Sequence, residues 1–282
     1  MDEVSSENCE HNCSSCGVAG CGDRTGEPTA PAKLEPNKRS NVKHVIGVVS
    51  GKGGVGKSLV TSLLASELTK RGKKVAIFDA DVTGPSIPKS FGITAHPSAD
   101  EDGINPVVTD SGIKMMSVNL MLPQDDLPVA WRGPVVTGVL RQFFSEVNWG
   151  DIDYMFIDMP PGTSDVFLTV FQTLPVDGIV TVSAPQELVG MIVGKAVNLA
   201  QKLEVPVVGL VENMAYFKCD DCGKEHHIFG EPQAQVIAER YGIPATAQLP
   251  IDPQFAKLVD AGQVETYDVD GALDSIIAQI EQ

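Results

Sequence analysis

Aromatic residues make up only 6% of this 282-residue chain, and it contains no run of lysine or arginine. Its formal charge is −16. A chain this acidic repels the phosphates of nucleic acid and the headgroups of anionic membranes, so neither is expected as a partner. No apolar stretch approaches the ~18 residues of a membrane span. The first residues, MDEVSSENCEHN, carry neither the basic nor the apolar segment of a secretion signal. A soluble, cytoplasmic protein is expected. Thiols stay reduced in that compartment, so the six cysteines point to metal or redox sites rather than disulfides. What the chain does have is a hydrophobic fraction of 43%, enough for a sizeable core.

Two textures divide the sequence. Residues 1–40 hold Cys9, Cys13, Cys16 and Cys21, followed by a segment rich in proline, glycine and charge. This reads as a cysteine-bearing tail and a flexible linker. Residues 41–282 read as a single nucleotide-binding domain. VKHVIGVVS, KVAIFDAD, DYMFIDMPPG, DGIVTVSAP and VPVVGLVENM are short β-branched, apolar runs, the pattern of buried strands. Between them lie helical segments. KSLVTSLLASELTKRG places Leu59, Leu63, Leu64 and Leu68 at helical spacing and stops at glycine; SDVFLTVFQTL is another. QELVGMIVGKAVNLAQKL places Leu188, Ile192, Ala196, Leu199 and Leu203 on one face. The alternation predicts an α/β fold: a doubly wound, mostly parallel sheet with helices on both faces. Near the end, Leu273, Ile276, Ile277 and Ile280 share a helical face whose polar side is acidic, so this helix is expected to dock on the domain rather than on a membrane.

The first strand runs into VVSGKGGVGKSLVT, which fits the phosphate-loop pattern at Gly51, Gly56, Lys57 and Ser58. From Gly51 through Gly53, Gly54, Val55 and Gly56, the backbone turns tightly and aims its N–H groups at phosphate oxygens. The helix that follows adds partial positive charge at its N-terminus. Lys57 is expected to reach the β- and γ-phosphates, and the Ser58 hydroxyl to ligate Mg²⁺. Mg²⁺ prefers oxygen ligands and keeps several waters, so carboxylates at neighbouring strand ends should face the loop. Asp79, Asp81 and Asp158 are the candidates. Asp158 is expected to hold magnesium through a bound water, with Asp79 a further candidate ligand. Asp81 is expected to orient or deprotonate the attacking water. Lys52 has no part in the ordinary motif, and from the residues alone it reads as a solvated loop lysine.

Cys219 and Cys222, in CDDC, have the spacing of a metal-binding turn. Two thiolates are half of a tetrahedral zinc site, and an iron–sulfur cluster normally takes four. Other ligands in the chain, or the same pair from a two-fold partner, must complete either. Zinc held with His226 or His227, and a redox dithiol, are alternatives. The spacing of Cys9, Cys13, Cys16 and Cys21 suits either a cluster or zinc.

GKGGVGKS resembles the deviant phosphate loop of the MinD, ParA and nitrogenase-iron-protein class of ATPases. With DADVTGPS, WRGPVVTGVLRQF, DMPPGTSD, APQELVGMIVGKAVN and VENMAYFKCDDCGKEHHIFG, it resembles the Mrp/ApbC-type iron–sulfur cluster carrier ATPases over about residues 42–265. The resemblance implies an ATP-hydrolysing homodimer that uses Mg²⁺. Lys52 would reach the nucleotide of the other subunit, adding positive charge where the transferring phosphoryl group develops negative charge. Asn213 would contact the adenine. Cys219 and Cys222 would hold one 4Fe–4S cluster between two subunits, labile enough to pass to apo iron–sulfur proteins. Related sequences usually carry proline where this chain has Asp220, and their N-terminal cysteines are spaced differently. A positioning ATPase of the MinD/ParA kind predicts a basic patch or basic amphipathic tail, which this chain lacks.

Overall fold

The computed structural model describes residues 33–81, 86–122, 133–162, 165–185 and 189–282. The N-terminal cysteines lie outside these. The chain enters strand β1 (Asn41–Ser50), passes through the glycine-rich loop into helix α1 (Lys57–Lys70), and returns in β2 (Val75–Asp79). A short helix, α2 (Ile87–Ser90), precedes four short strands: β3 (Ser98–Asp100), β4 (Gly103–Asn105), β5 (Val107–Val108) and β6 (Lys114–Ser117). Then come α3 (Gly133–Ser145), β7 (Asp151–Asp158), α4 (Asp165–Thr173), β8 (Gly178–Ser183), α5 (Val189–Lys202) and β9 (Val207–Lys218). The remainder is β10 (Glu225–His226), α6 (Ala234–Tyr241), β11 (Thr246–Pro250), α7 (Pro253–Asp260) and α8 (Asp274–Ile280).

The main sheet runs β10-β9-β8-β1-β7-β2-β6-β5, with β11 also paired to β9. Its pairings are parallel except those of β5 and β10. Residues alternate between the two faces at the two-residue period of a strand. Ile46 and Val48 of β1, Val75 and Ile77 of β2, and Tyr154 and Phe156 of β7 pack on one side with α1 and α8. Val45 and Val49, Ala76 and Phe78, and Met155 and Ile157 pack on the other with α3 and α4. Both faces are buried, so each strand reads as a continuous apolar run. β1 is central, between β7 and β8. The chain leaves it for β2 on one side and later fills β8 on the other, so the loop after β1 stands at the topological switch point where open α/β sheets bind ligands.

The expected α/β fold, with its helices on both faces, is the observed one. The terminal helix docks as expected, with Leu273, Ile276 and Ile277 fully buried. Other expectations need correction. Residues 33–40, expected as linker, lie on the domain: the Leu34 amide donates to the Thr173 carbonyl at 2.7 Å, and Asn37 Nδ2 to that of Asp102 at 3.0 Å. In α5 the buried stripe is Val193, Ala196, Val197 and Ala200, while Leu199 and Leu203 are only partly buried. Leu199 and Leu203 still pack against the core from its edge, and the close approach on this helix is at Gly194, where a Cβ would stand 2.2 Å from the Tyr241 hydroxyl oxygen. The strand read from VPVVGLVENM also runs further than that segment. It continues as β9 to Lys218, with Met214 in the left-handed region at φ 57°.

Candidate nucleotide site and cysteine turn

The phosphate loop is built around glycines with positive φ, Gly54 at 79° and Gly56 at 86°. An L-residue in this region places its Cβ against the following carbonyl oxygen. Gly56 is constrained twice, because a Cβ there would lie 2.2 Å from Nδ2 of Asn213. That amide donates to the Val55 carbonyl at 3.0 Å. Asn213 is 3% exposed, so strand β9 holds the back of the loop through one buried side chain.

At the front of the loop, Asp158 organises the polar groups. It ends β7 and is fully buried. Its Oδ2 accepts from Lys57 Nζ at 2.6 Å and from Ser58 Oγ at 2.7 Å, and its Oδ1 accepts from Thr61 Oγ1 at 2.7 Å. Thr61 was not anticipated. Its signal was present, because four residues after Lys57 it projects from the same face of α1. Asp81 Oδ2 stands 3.8 Å from Lys57 Nζ. Lys57, Ser58, Asp81 and the glycines line an open cleft of about 360 Å³, closed on its far side by Phe255, Val259 and Val264.

Asp79 and Asp81 are two residues apart but differ in setting. Asp79 is 1% exposed and does not line the cleft. Its Oδ2 accepts from Ser117 Oγ at 2.9 Å, and its Oδ1 from the Asp81 amide at 3.1 Å. It also neighbours Asp158 in register across β2 and β7. Burial first, and then repulsion from Asp158, pushes its carboxyl up to about 8. Its contacts are those of a support beneath Asp81.

A second cavity of about 190 Å³ adjoins the first through Leu59 and Phe255. Leu63, Met214, Leu249 and Tyr267 line it, with Asn213 and Asp252 as polar groups. An apolar slot with a few polar groups, beside a phosphate cradle, suits a flat heteroaromatic base. Lys52 is half-buried and, with Gly51 and Val55, borders a small crevice against Val182 and Ser183.

Cys219 follows directly on β9. The strand folds back as a hairpin, with Lys218 opposite Glu225 and Phe217 opposite His226. The Cys219 amide donates to the Lys224 carbonyl at 2.9 Å, and the Gly223 amide to the Cys219 carbonyl at 2.8 Å. The backbone amides of Cys222 and Asp221, which point at the Cys219 sulfur, together with the Cys222 side chain, hold its thiol below the usual range; Asp220 opposes them. A thiolate favoured by backbone donors is the form that ligates iron or zinc. Cys222 is exposed. Ile228 and Phe229, 59% and 45% exposed, follow the hairpin. His227 Nδ1 is engaged with Glu231 at 2.7 Å. Among the described residues, no group of three or more His, Cys, Asp or Glu is placed to hold a metal ion. None of the helices among them is long and apolar enough to cross a membrane.

A glycine-rich cradle at the switch point of a parallel sheet, carrying Lys57 and Ser58 on a buried carboxylate, defines a P-loop NTPase. The family model described as "ParA: NUBPL iron-transfer P-loop NTPase" matches residues 41–282, and the chain belongs to that family. It is 48% identical over 257 residues to an iron–sulfur cluster carrier protein of Clostridium perfringens, covering 88% of this chain and 90% of that one. It is 46% identical over 228 residues to another from Saccharolobus solfataricus, covering 80% and 77%. Among solved structures, a nucleotide-binding protein from Archaeoglobus fulgidus in complex with ADP superposes with a TM-score of 0.74. That protein is 44% identical, over 80% of this chain and 89% of that one. The cell-division ATPase MinD of Pyrococcus furiosus, 21% identical with a TM-score of 0.59 over 84% and 98%, shares the fold.

Proposed function

We propose that this protein is a cytoplasmic, ATP-hydrolysing carrier that assembles a 4Fe–4S cluster between two copies of itself and delivers it to apo-proteins. The observation that carries the reading is the thiol pair at the end of the strand that also holds the phosphate loop. Two thiols that no third His, Cys, Asp or Glu joins as a metal-binding group among the described residues suit a site completed by a second copy. The exposed Ile228 and Phe229 supply apolar surface for such a contact. The names of the relatives point the same way.

In the nucleotide cleft, Lys57 and the loop amides bind the β- and γ-phosphates. The Ser58 hydroxyl, which lines the cleft, and through water Asp158, buried behind it, suit Mg²⁺ as hard oxygen donors. The ion, when bound, neutralises charge on the phosphate oxygens. Lys57 and Ser58 are held by Asp158, so phosphate enters a pre-organised site. Asp81 lines the cleft and orients the attacking water. Lys52 extends toward the partner's nucleotide, and the adjoining apolar cavity takes the adenine beside Asn213. ATP binding and hydrolysis bias two arrangements of the dimer that differ in cluster affinity.

The test is anaerobic reconstitution with iron and sulfide, read by native mass and Mössbauer spectra. A chain with Cys9, Cys13, Cys16 and Cys21 replaced by serine is expected to hold one 4Fe–4S cluster per dimer. Adding Cys219→Ala and Cys222→Ala is expected to abolish it. Uptake of one zinc per monomer, with iron refused, would replace this reading by a nucleotide switch with a structural metal.

A further inference from the structure

Strand β9 serves both sites. Asn213 touches the phosphate loop, and Cys219 begins the thiol turn six residues later. At ~3.3 Å per residue the two lie within about 20 Å along one element. That element is not uniform. Against β11, Glu212 pairs with Gln248 and Tyr216 with Pro250, so β9 passes four residues where its partner passes two. The extra residues are taken up around Met214, whose φ of 57° is unusual for an unbranched L-residue within a strand. Regular contact resumes beyond it, the Ile251 amide donating to the Tyr216 carbonyl at 2.7 Å.

Both flanks of the irregularity are pinned. Before it, Glu212 is fully buried, and its carboxylate accepts from the amides of Gln233, at 2.9 and 3.1 Å, and Ala234, at 3.2 Å. This fastens the return of the cysteine hairpin, where α6 starts, to the residue preceding Asn213. After it, Tyr216–Lys218 continue as strand into Cys219, with Phe217 and Lys218 paired to β10. The only irregular stretch between the two sites is Asn213–Ala215.

We propose that the Asn213–Ala215 bulge is the joint through which nucleotide occupancy resets the cysteine turn, with Met214 as its positioning residue. Bulges change the local twist and direction of a strand. A residue restrained by its Cβ has discrete backbone states, left-handed or extended, and a contact at Asn213 selects between them. Glycine occupies both regions about equally and transmits no such choice. The proposal rests on the nucleotide part of the function above but not on cluster binding.

The experiment uses the full-length apo chain and reads alkylation of Cys219 and Cys222 separately by peptide mass spectrometry, with and without saturating ATP. Nucleotide occupancy is measured in the same samples. Nucleotide is expected to change the labelling rate of the pair on the order of fivefold or more in the unaltered chain. Met214→Ala, which keeps Cβ but trims a wall of the adjoining cavity, should retain most of that ratio when compared at equal nucleotide occupancy. Met214→Gly should bring it close to one. The proposal is overturned if ATP binds and labelling does not change, if Met214→Gly keeps the ratio, or if both variants lose it equally, which would place the effect in the side chain. Absence of ATP binding would instead refute the function proposed above, whereas a failure of cluster assembly leaves this assay unaffected.

Discussion

Replacing Gly56 by alanine tests the phosphate loop most directly, because two separable penalties fall on one atom. The new Cβ occupies a left-handed position, φ 86°, and meets Nδ2 of Asn213 at 2.2 Å. The backbone part is about 1–2 kcal/mol. Displacing Asn213 breaks its bond to the Val55 carbonyl, worth about 0.5–1.5 kcal/mol. Together they predict a loss of about 1.5–3.5 kcal/mol. Gly54→Ala is the control, since Gly54 has a similar φ of 79° but nothing within 4 Å of a Cβ. It should lose only the backbone part, about 1–2 kcal/mol. The assay is urea unfolding of both variants, each also in an Asn213→Ala background. In that background Gly56→Ala should fall to the cost of Gly54→Ala, giving a coupling of about 1 kcal/mol. If the two alanine variants are equally stable and the cycle shows no coupling, the contact between β9 and the loop does not have the energetic role assigned to it.

Other outcomes follow from the same geometry. Thr61→Val leaves Asp158 Oδ1 without its hydroxyl donor, and unfolding should show a loss of about 1.5–3 kcal/mol, the range for a bond to a charged group. Asp79 has its folded pKa raised to about 8, above the unfolded value, so folding takes up a proton between roughly pH 4 and 8. Its contribution is fully present at the acidic end of that window and is lost as pH rises through about 8. Urea unfolding of Asp79→Asn should therefore lack a decline in stability that the unaltered chain shows from pH 5 to 8; parallel profiles would refute this. Lys52→Ala should bind ATP, by calorimetry, while hydrolysing it more slowly, on the order of tenfold or more if the lysine stabilises developing phosphate charge. The labelling rate of Cys219 should reach half-maximum below the pH of an ordinary thiol, because backbone amides favour its thiolate.

Much of this was legible in the residues. Buried parallel strands must be apolar on both faces, so β1, β2, β7, β8 and the start of β9 stood out as unbroken runs. The phosphate loop was readable because its chemistry is local: glycines for the turn, then Lys57 and Ser58 on the first turn of the helix. The small strands β3–β6 were not, since they are two to four residues long and draw their order from neighbours distant in sequence.

The sequence by itself determined the sheet type, the loop and the two thiols, because each depends on residues within one short segment. Tertiary structure alone decided which groups meet. It put Asp158 beneath Lys57, Ser58 and Thr61 from about a hundred residues away, and set Asn213 against Gly56. It also separated Asp79 from Asp81, burying one beneath the other by pairing β2 between β6 and β7. Neighbouring residues on a strand face opposite ways and those two apart face the same way only while the strand lasts. Where β2 ends, sequence spacing no longer says which carboxylate reaches the cleft, and packing does.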